Sequence, residues 1–243
     1  MKKFILSAAA ILLAAAAQAQ FNDSTYYHLT LTSTGNLSKT DAGDALLLNN
    51  SLGFGIKKKD LGLNFSSKYV HGEQNRTLIN NDFNAAVDAT LQSTIPHFYY
   101  WGFAGYTSSY SLKINNQLQS GAGVAYNLID REDMKLNLSE GVLYEYNDIF
   151  KDDTVRTMYS LARNSFRLSF RYSYKEMIKF ETTNFLQNAF TDGDDYIIKS
   201  NFTVSFKLRK WLSFTTGFMY NKFSATDKEN LLFTYGLTID RFF

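Results

Sequence analysis

The 243-residue chain contains no cysteine and a single proline. Without thiols it can build no disulfide framework, no thiolate metal site and no cysteine nucleophile. Neither sign of charge is in excess: 25 Lys and Arg face 23 Asp and Glu, a net charge of +2. That balance excludes a strongly cationic binder whose affinity rests on phosphate neutralisation, so no nucleic-acid partner is expected. Beyond the first residues no apolar run reaches the roughly 20 residues that a membrane-spanning helix needs. What is abundant is aromatic: 16% of residues are Phe, Tyr or Trp, in a chain whose mean hydropathy is only −0.24. Large rings on a chain that is polar on average point to strands with two unlike faces.

The N-terminus reads as an export leader. Lys2 and Lys3 precede an apolar, alanine-rich stretch from Phe4 to Ala17, and Ala17-Gln18-Ala19 places small residues where a signal peptidase reads them. The expected organisation is a signal peptide over 1–19 and one domain over 20–243. A membrane anchor is the weaker reading, because the stretch is too short to span.

From about residue 26 the dominant period is two, the mark of strands. In 78–91, Ile79, Phe83, Val87 and Leu91 alternate with Leu78, Asn80, Asp82, Asn84 and Asp88. In 196–208, Ile198, Phe202, Val204, Phe206 and Leu208 alternate with Lys199, Asn201, Thr203, Ser205 and Lys207. Counting such segments predicts strands over 26–34, 44–56, 60–70, 77–91, 97–108, 115–127, 133–147, 155–172, 175–188, 194–208, 211–223 and 230–243. Short connections alternate with longer polar ones such as 35–43, 71–76 and 224–229, and Pro96 falls in a connection, where its missing N–H breaks no ladder.

Most segments reach the roughly 9–11 residues a tilted membrane strand requires, whereas strands of soluble domains average roughly 5–6. One face of each carries Asp, Asn, Lys, Arg and Ser, which suits water better than the dry interior of a small soluble barrel. The expected fold is therefore all-β: a closed, antiparallel, up-and-down transmembrane β-barrel of about 12 strands, apolar side to outer-membrane lipid and polar side to the lumen. Tyr26, Tyr27, Tyr69, Tyr126, Tyr144, Tyr196, Trp211 and Tyr220 stand near strand ends as interfacial rings. The last strand alternates Phe233, Tyr235, Leu237, Ile239, Arg241 and Phe243. A final strand ending on Phe resembles the signal that the barrel-assembly machinery of Gram-negative outer membranes takes up by strand pairing.

Several elements resemble a known family. Gly35-Asn36-Leu37-Ser38 after the first strand is similar to a Gly-Asn-Thr element, with Leu37 in place of Thr. Tyr100-Trp101-Gly102-Phe103-Ala104 followed by Gly121-Ala122-Gly123-Val124-Ala125-Tyr126-Asn127-Leu128-Ile129 resembles a Gly-x-Gly-x-x-Tyr-x-x-Ile hairpin, and Gly141 to Tyr146 resembles the strand after it. These are features of the family called salt-induced outer-membrane proteins, a domain of unknown function. The resemblance implies an outer-membrane barrel and no defined chemistry.

Catalytic signals are weak. Gly121-Ala122-Gly123 lies in a strand pattern and opens no helix, so it is no phosphate cradle. His28, His71 and His97 are far apart in the strand series; His28 is expected in the lumen, His71 in an outer loop and His97 in a turn. Asp192-Gly193-Asp194-Asp195 lacks the remaining ligands of a calcium loop and reads as a solvated loop. No cofactor or metal is implied. Two positions break the pattern. Glu140 falls in phase with Leu138 and Val142, which predicts a bulge that turns it away from lipid. Segment 155–172 changes phase, with Tyr159 and Leu161 on odd numbers but Phe166, Leu168 and Phe170 on even ones.

The candidate site is the set of lumen charges. Asp82 and Asp88 stand on one wall, and Arg167, Arg171, Lys179, Glu181, Lys199 and Lys207 on the wall opposite. Such an arrangement either imposes a transverse field on a pore or is locally neutralised, for example by pairing Arg167 with Glu181. The expected role is non-enzymatic, as a narrow pore for small solutes or a structural envelope component; an enzyme acting on lipid or lipopolysaccharide is the alternative.

Overall fold

The computed structural model describes residues 26–40, 43–151 and 155–243; the expected signal peptide lies outside the described residues. Twelve strands follow in chain order: β1 (Tyr27–Thr40), β2 (Gly43–Lys58), β3 (Leu61–Gln74), β4 (Thr77–Gln92), β5 (Phe98–Ser109), β6 (Ile114–Asp130), β7 (Met134–Lys151), β8 (Val155–Tyr174), β9 (Ile178–Ala189), β10 (Tyr196–Arg209), β11 (Leu212–Phe223) and β12 (Lys228–Phe242). Each pairs antiparallel with its sequence neighbours, and β1 pairs with β12 to close the barrel. His28 opposes Phe242, and Tyr27 exchanges two main-chain hydrogen bonds of 2.9 Å with Phe243. Closure pairs His28–Gly35 with Tyr235–Phe242, so over that height the sheet has no free edge. Both described termini lie at one end, here the near end; the other is the far end.

Alternation sorts the side chains as the period predicts. Every strand leaves at least one large apolar side chain exposed on the outer wall, from Leu31 on β1 and Phe65 on β3 to Val87, Val124, Val142, Phe166, Phe202 and Phe233 further round. Such a continuous apolar exterior is not that of a water-facing monomer. The interior set is polar over most of its height, with Asn80, Gln117, Gln119, Ser139, Glu145, Arg163 and Gln187 all buried.

Four expectations about the strands need correction. Glu140 is not displaced by a bulge: β7 pairs with β8 in unbroken register, and the irregularities of the β6–β7 ladder lie at Ile114/Asn116 and Asn127/Ile129. Its exposed side chain stays on the outer wall, with Val124 and Phe166 as cross-strand neighbours. Strand β8 does not change phase either, so Tyr159 and Leu161 point inward with Arg163 and Arg167. His71 belongs to β3 and bonds Glu73 at 3.1 Å instead of sitting in a loop. The long connections expected at 35–43 and 71–76 are mostly strand, since β1 runs to Thr40 and β3 to Gln74. Main-chain pairing continues past the apolar band because it needs no apolar side chain. The β3–β4 reversal then takes two residues, Asn75 and Arg76, both at positive φ, as tight hairpins of this kind require.

Candidate functional site

The lumen is built from the inward-facing residues, and its far end is narrowed by a buried apolar cluster. The β5–β6 connection folds inward, placing Leu112 beside Ile114, Ile149, Ile197 and Phe223, each at most 8% exposed, with Tyr159 and Ala225 packed against them. These side chains come from walls on opposite sides of the barrel, so the cluster crosses the opening. Two cross-barrel hydrogen bonds fasten it. Thr226 Oγ1 donates to the Leu112 carbonyl at 2.9 Å, and Asn230 Nδ2 donates to Ser111 Oγ at 2.8 Å. Asp82 holds the same connection from below, accepting from Ser109 Oγ (2.7 Å), Ser111 N (3.0 Å) and Ser111 Oγ (2.8 Å).

Beneath one side of this cap lies a buried polar network. Arg163 donates to Glu145 Oε1 at 2.8 Å and to Asp195 Oδ1 at 2.7 Å, and both Arg163 and Glu145 side chains are fully excluded from solvent. Gln117, Gln119 and Asn147 also donate to Glu145, and Gln119 continues to Gln187 at 3.1 Å. Two ions in such surroundings are tolerable because their remaining hydrogen-bonding positions are filled.

Between cap and near end is a cavity of about 340 Å³, lined in part by Lys68, Asp82, Asp88, Trp101, Arg167 and Lys199. Trp101 turns into it and donates its indole N–H to the Val124 carbonyl at 3.2 Å. The ring lies over Gly123 and Gly141, where an added Cβ would stand 2.6 and 2.4 Å from it; those glycines make room for the indole on the inner wall.

Of the predicted charges, Asp88 and Arg167 interact electrostatically across the lumen, while Asp82 is turned to the inward-folded connection. Arg167 does not pair with Glu181: its cross-strand neighbour is Phe185, over whose ring it sits at 5.9 Å, and its Nε donates to Ser139 Oγ at 3.0 Å. Arg171 is the residue opposite Glu181, whose carboxylate instead meets Lys179 at 2.9 Å. Lys207 lies 4.0 Å from Glu176 at the near mouth, and Lys199 lines the cavity. The charges therefore divide into a near-mouth set (Arg171, Lys179, Glu181, Lys207) and a cavity set (Asp82, Asp88, Arg167, Lys199). Sequence reading missed Glu145, Arg163 and the cap. The available signals were the continuous odd phase of β8 and the apolar residues Ile197 and Phe223 that interrupt two otherwise polar inward sets.

On the far rim, beyond the outward Tyr144, Arg156 makes a two-pronged contact to Asp148 at 2.8 and 2.7 Å. These hydrogen bonds, with those from Asn115 and Asn116, hold the Asp148 carboxyl well below the usual carboxylate range. A depressed folded value stabilises the rim above the unfolded carboxylate pKa of about 3.9 and is lost as pH falls through the folded one. The protection of amides at residues 148–151, taken relative to their intrinsic exchange rate at each pH, is therefore expected to hold from neutral pH to about pH 4 and to fall below it. Asp148→Asn abolishes that pH dependence.

The family model described as protein of unknown function, DUF481, matches residues 52–239. No curated protein matches the sequence. Among solved structures, the NanC porin aligns with a TM-score of 0.54 at 10% identity, over 87% of this chain and 98% of that one. The translocator domain of the autotransporter NalP from Neisseria meningitidis gives 0.53 at 9% identity, over 98% and 94%. An outer membrane channel from Pseudomonas putida F1 gives 0.51 at 11% identity, over 93% and 100%. At such identities the likeness is one of fold.

Proposed function

The chain belongs to the DUF481 family, which has no assigned function, and from the geometry of its lumen we propose that it is an outer-membrane barrel forming a narrow pore for small solutes. It is exported by the leader over 1–19, assembled through the strand that ends at Phe243, and closed at rest on its far, external side. The observation that carries this reading is an internal cavity with charged side chains on its wall beneath an inward-folded connection held by a few hydrogen bonds. A sealed scaffold would need no cavity, and a filled barrel would not have a connection pinned across its mouth by a handful of hydrogen bonds. Apolar constrictions of this kind gate by excluding water. The fold likeness to a porin and a channel supports the same reading.

Single-channel recording of the refolded protein in planar bilayers tests it: brief, small conductance steps are expected, and a silent membrane with both wild type and cap variants would end the pore reading. The non-enzymatic part of the reading rests on the lumen chemistry, where Asp82, Glu145 and Glu181 are each engaged by a structural contact.

An apolar band against lipid makes one side chain costly. Glu140 stands on the outer wall between Val124 and Phe166, and acidic residues facing hydrocarbon destabilise barrels by up to about 2 kcal/mol. Glu140→Leu is expected to raise the urea midpoint for unfolding from lipid vesicles; an unchanged or lower midpoint would mean that this face meets something other than acyl chains.

A further inference from the structure

Three cations, Lys68, Arg167 and Lys199, line the cavity; Asp88 faces Arg167, while the carboxylates that act on the two lysines are engaged elsewhere. Arg167, Phe185 and Lys199 are consecutive members of one cross-strand row over β8, β9 and β10, so the two cations flank the ring. Lys68 reaches over from β3, its Nζ resting 2.7 Å from the Met219 sulphur, a weak acceptor. Met219 opposes Asn201 on β10, two residues from Lys199 on the same inward face, and both lysines line the same cavity.

Among the described residues no hydrogen bond or ion pair reaches Lys199 Nζ; Glu145 attracts it only at longer range and is engaged by Arg163. Asp82 stands in the same relation to Lys68, its oxygens being taken by Ser109 and Ser111. Ammonium groups in a confined lumen need either a counter-charge or water. The cavity is at the lower end of the size range of small-molecule sites, roughly 300–1,000 Å³.

We infer that this cavity is a binding site for a small organic anion with a flat ring, its carboxylate or equivalent head between Lys68 and Lys199 and its ring against Phe185. This deepens the pore reading by naming the class of solute. The neighbouring Arg167, already held by Ser139 and facing Asp88, adds positive potential without being consumed by the ligand. A ring slides over an aromatic floor with little directional preference, while the ammonium groups select charge.

The test is a 19F NMR titration of refolded protein in zwitterionic detergent with 4-fluorobenzoate, with the neutral 4-fluorobenzyl alcohol as control. Saturable broadening of the benzoate signal is expected, with the alcohol giving only the linear response of micelle partitioning. Lys68→Met/Lys199→Met should weaken benzoate binding by about tenfold or more, the scale on which a charged cleft concentrates counter-ions. Lys199→Arg, which keeps the charge, should retain it, and a heat-modifiable gel shift verifies that each variant is folded. Equal binding of acid and alcohol, or a folded double variant that binds like wild type, overturns the site. Binding does not require conduction. A failed titration beside recorded channels therefore refutes the site alone, whereas silent bilayers beside a saturating titration refute the pore.

Discussion

Asp82→Ala is expected to turn a mostly closed barrel into an open one. Three hydrogen bonds from Ser109 and Ser111 end on this carboxylate, and their loss frees the inward-folded connection that carries Leu112 into the cap. Each bond to a charged acceptor contributes about 1.5–3 kcal/mol, and a shift of that size moves a two-state lid about tenfold or more in open population. Leu112→Ser attacks the same lid from its apolar side and should produce the same effect by letting water into the cluster. Thr226→Val, which removes the cross-barrel bond to the Leu112 carbonyl, is expected to act in the same direction but more weakly. In planar bilayers these variants should show longer and more frequent open steps in the order Asp82→Ala, Leu112→Ser, Thr226→Val, wild type. If Asp82→Ala leaves open probability unchanged while the protein remains folded, the connection is not the gate.

The second large effect is on stability. Arg163→Met leaves Glu145 buried with several neutral donors and without its guanidinium partner, which costs about 3–5 kcal/mol when one member of a buried pair is removed. Lys199 attracts Glu145 at longer range and offsets part of the loss, so the lower end of that range is expected. Removing both charges, as Arg163→Met/Glu145→Leu, should recover part of the lost stability, because the fully buried carboxylate is gone while Asp195 still lacks its guanidinium partner. Urea unfolding from vesicles measures both. A single variant as stable as wild type would mean that water already reaches Glu145.

The two faces of β4 were legible because water and lipid sorted its residues in opposite directions. Asp82 and Asp88 had nowhere to go but inward, and Val87 and Leu91 nowhere but out. The same logic misled on β8. Tyr159 and Leu161 face the lumen because Tyr159 packs on the buried apolar cluster and Leu161 stands opposite the buried Glu145, where the interior is dry and polarity no longer reports which side is in. A false change of phase then hid Arg163, whose odd number matches Arg167 and Arg171 on the same strand. Glu140 misled in the other direction: a carboxylate on the outer wall was taken to demand a bulge, but the ladder keeps its register and leaves the acid outside. The cap itself was beyond local reading, since Leu112 and Thr226 meet across the barrel at a sequence separation of 114. Period-two patterns carry no information about such a contact.

The claim that governs all of this is that the apolar wall faces acyl chains and the polar wall faces an aqueous interior. The chain has no cysteine, so single Phe202→Cys and Thr203→Cys variants can each carry one environment-sensitive fluorophore without background. Neighbours on β10, they point to opposite sides of the wall. In vesicles containing brominated lipid the fluorophore at 202 should be strongly quenched and the one at 203 hardly at all; equal quenching at both positions would contradict the account.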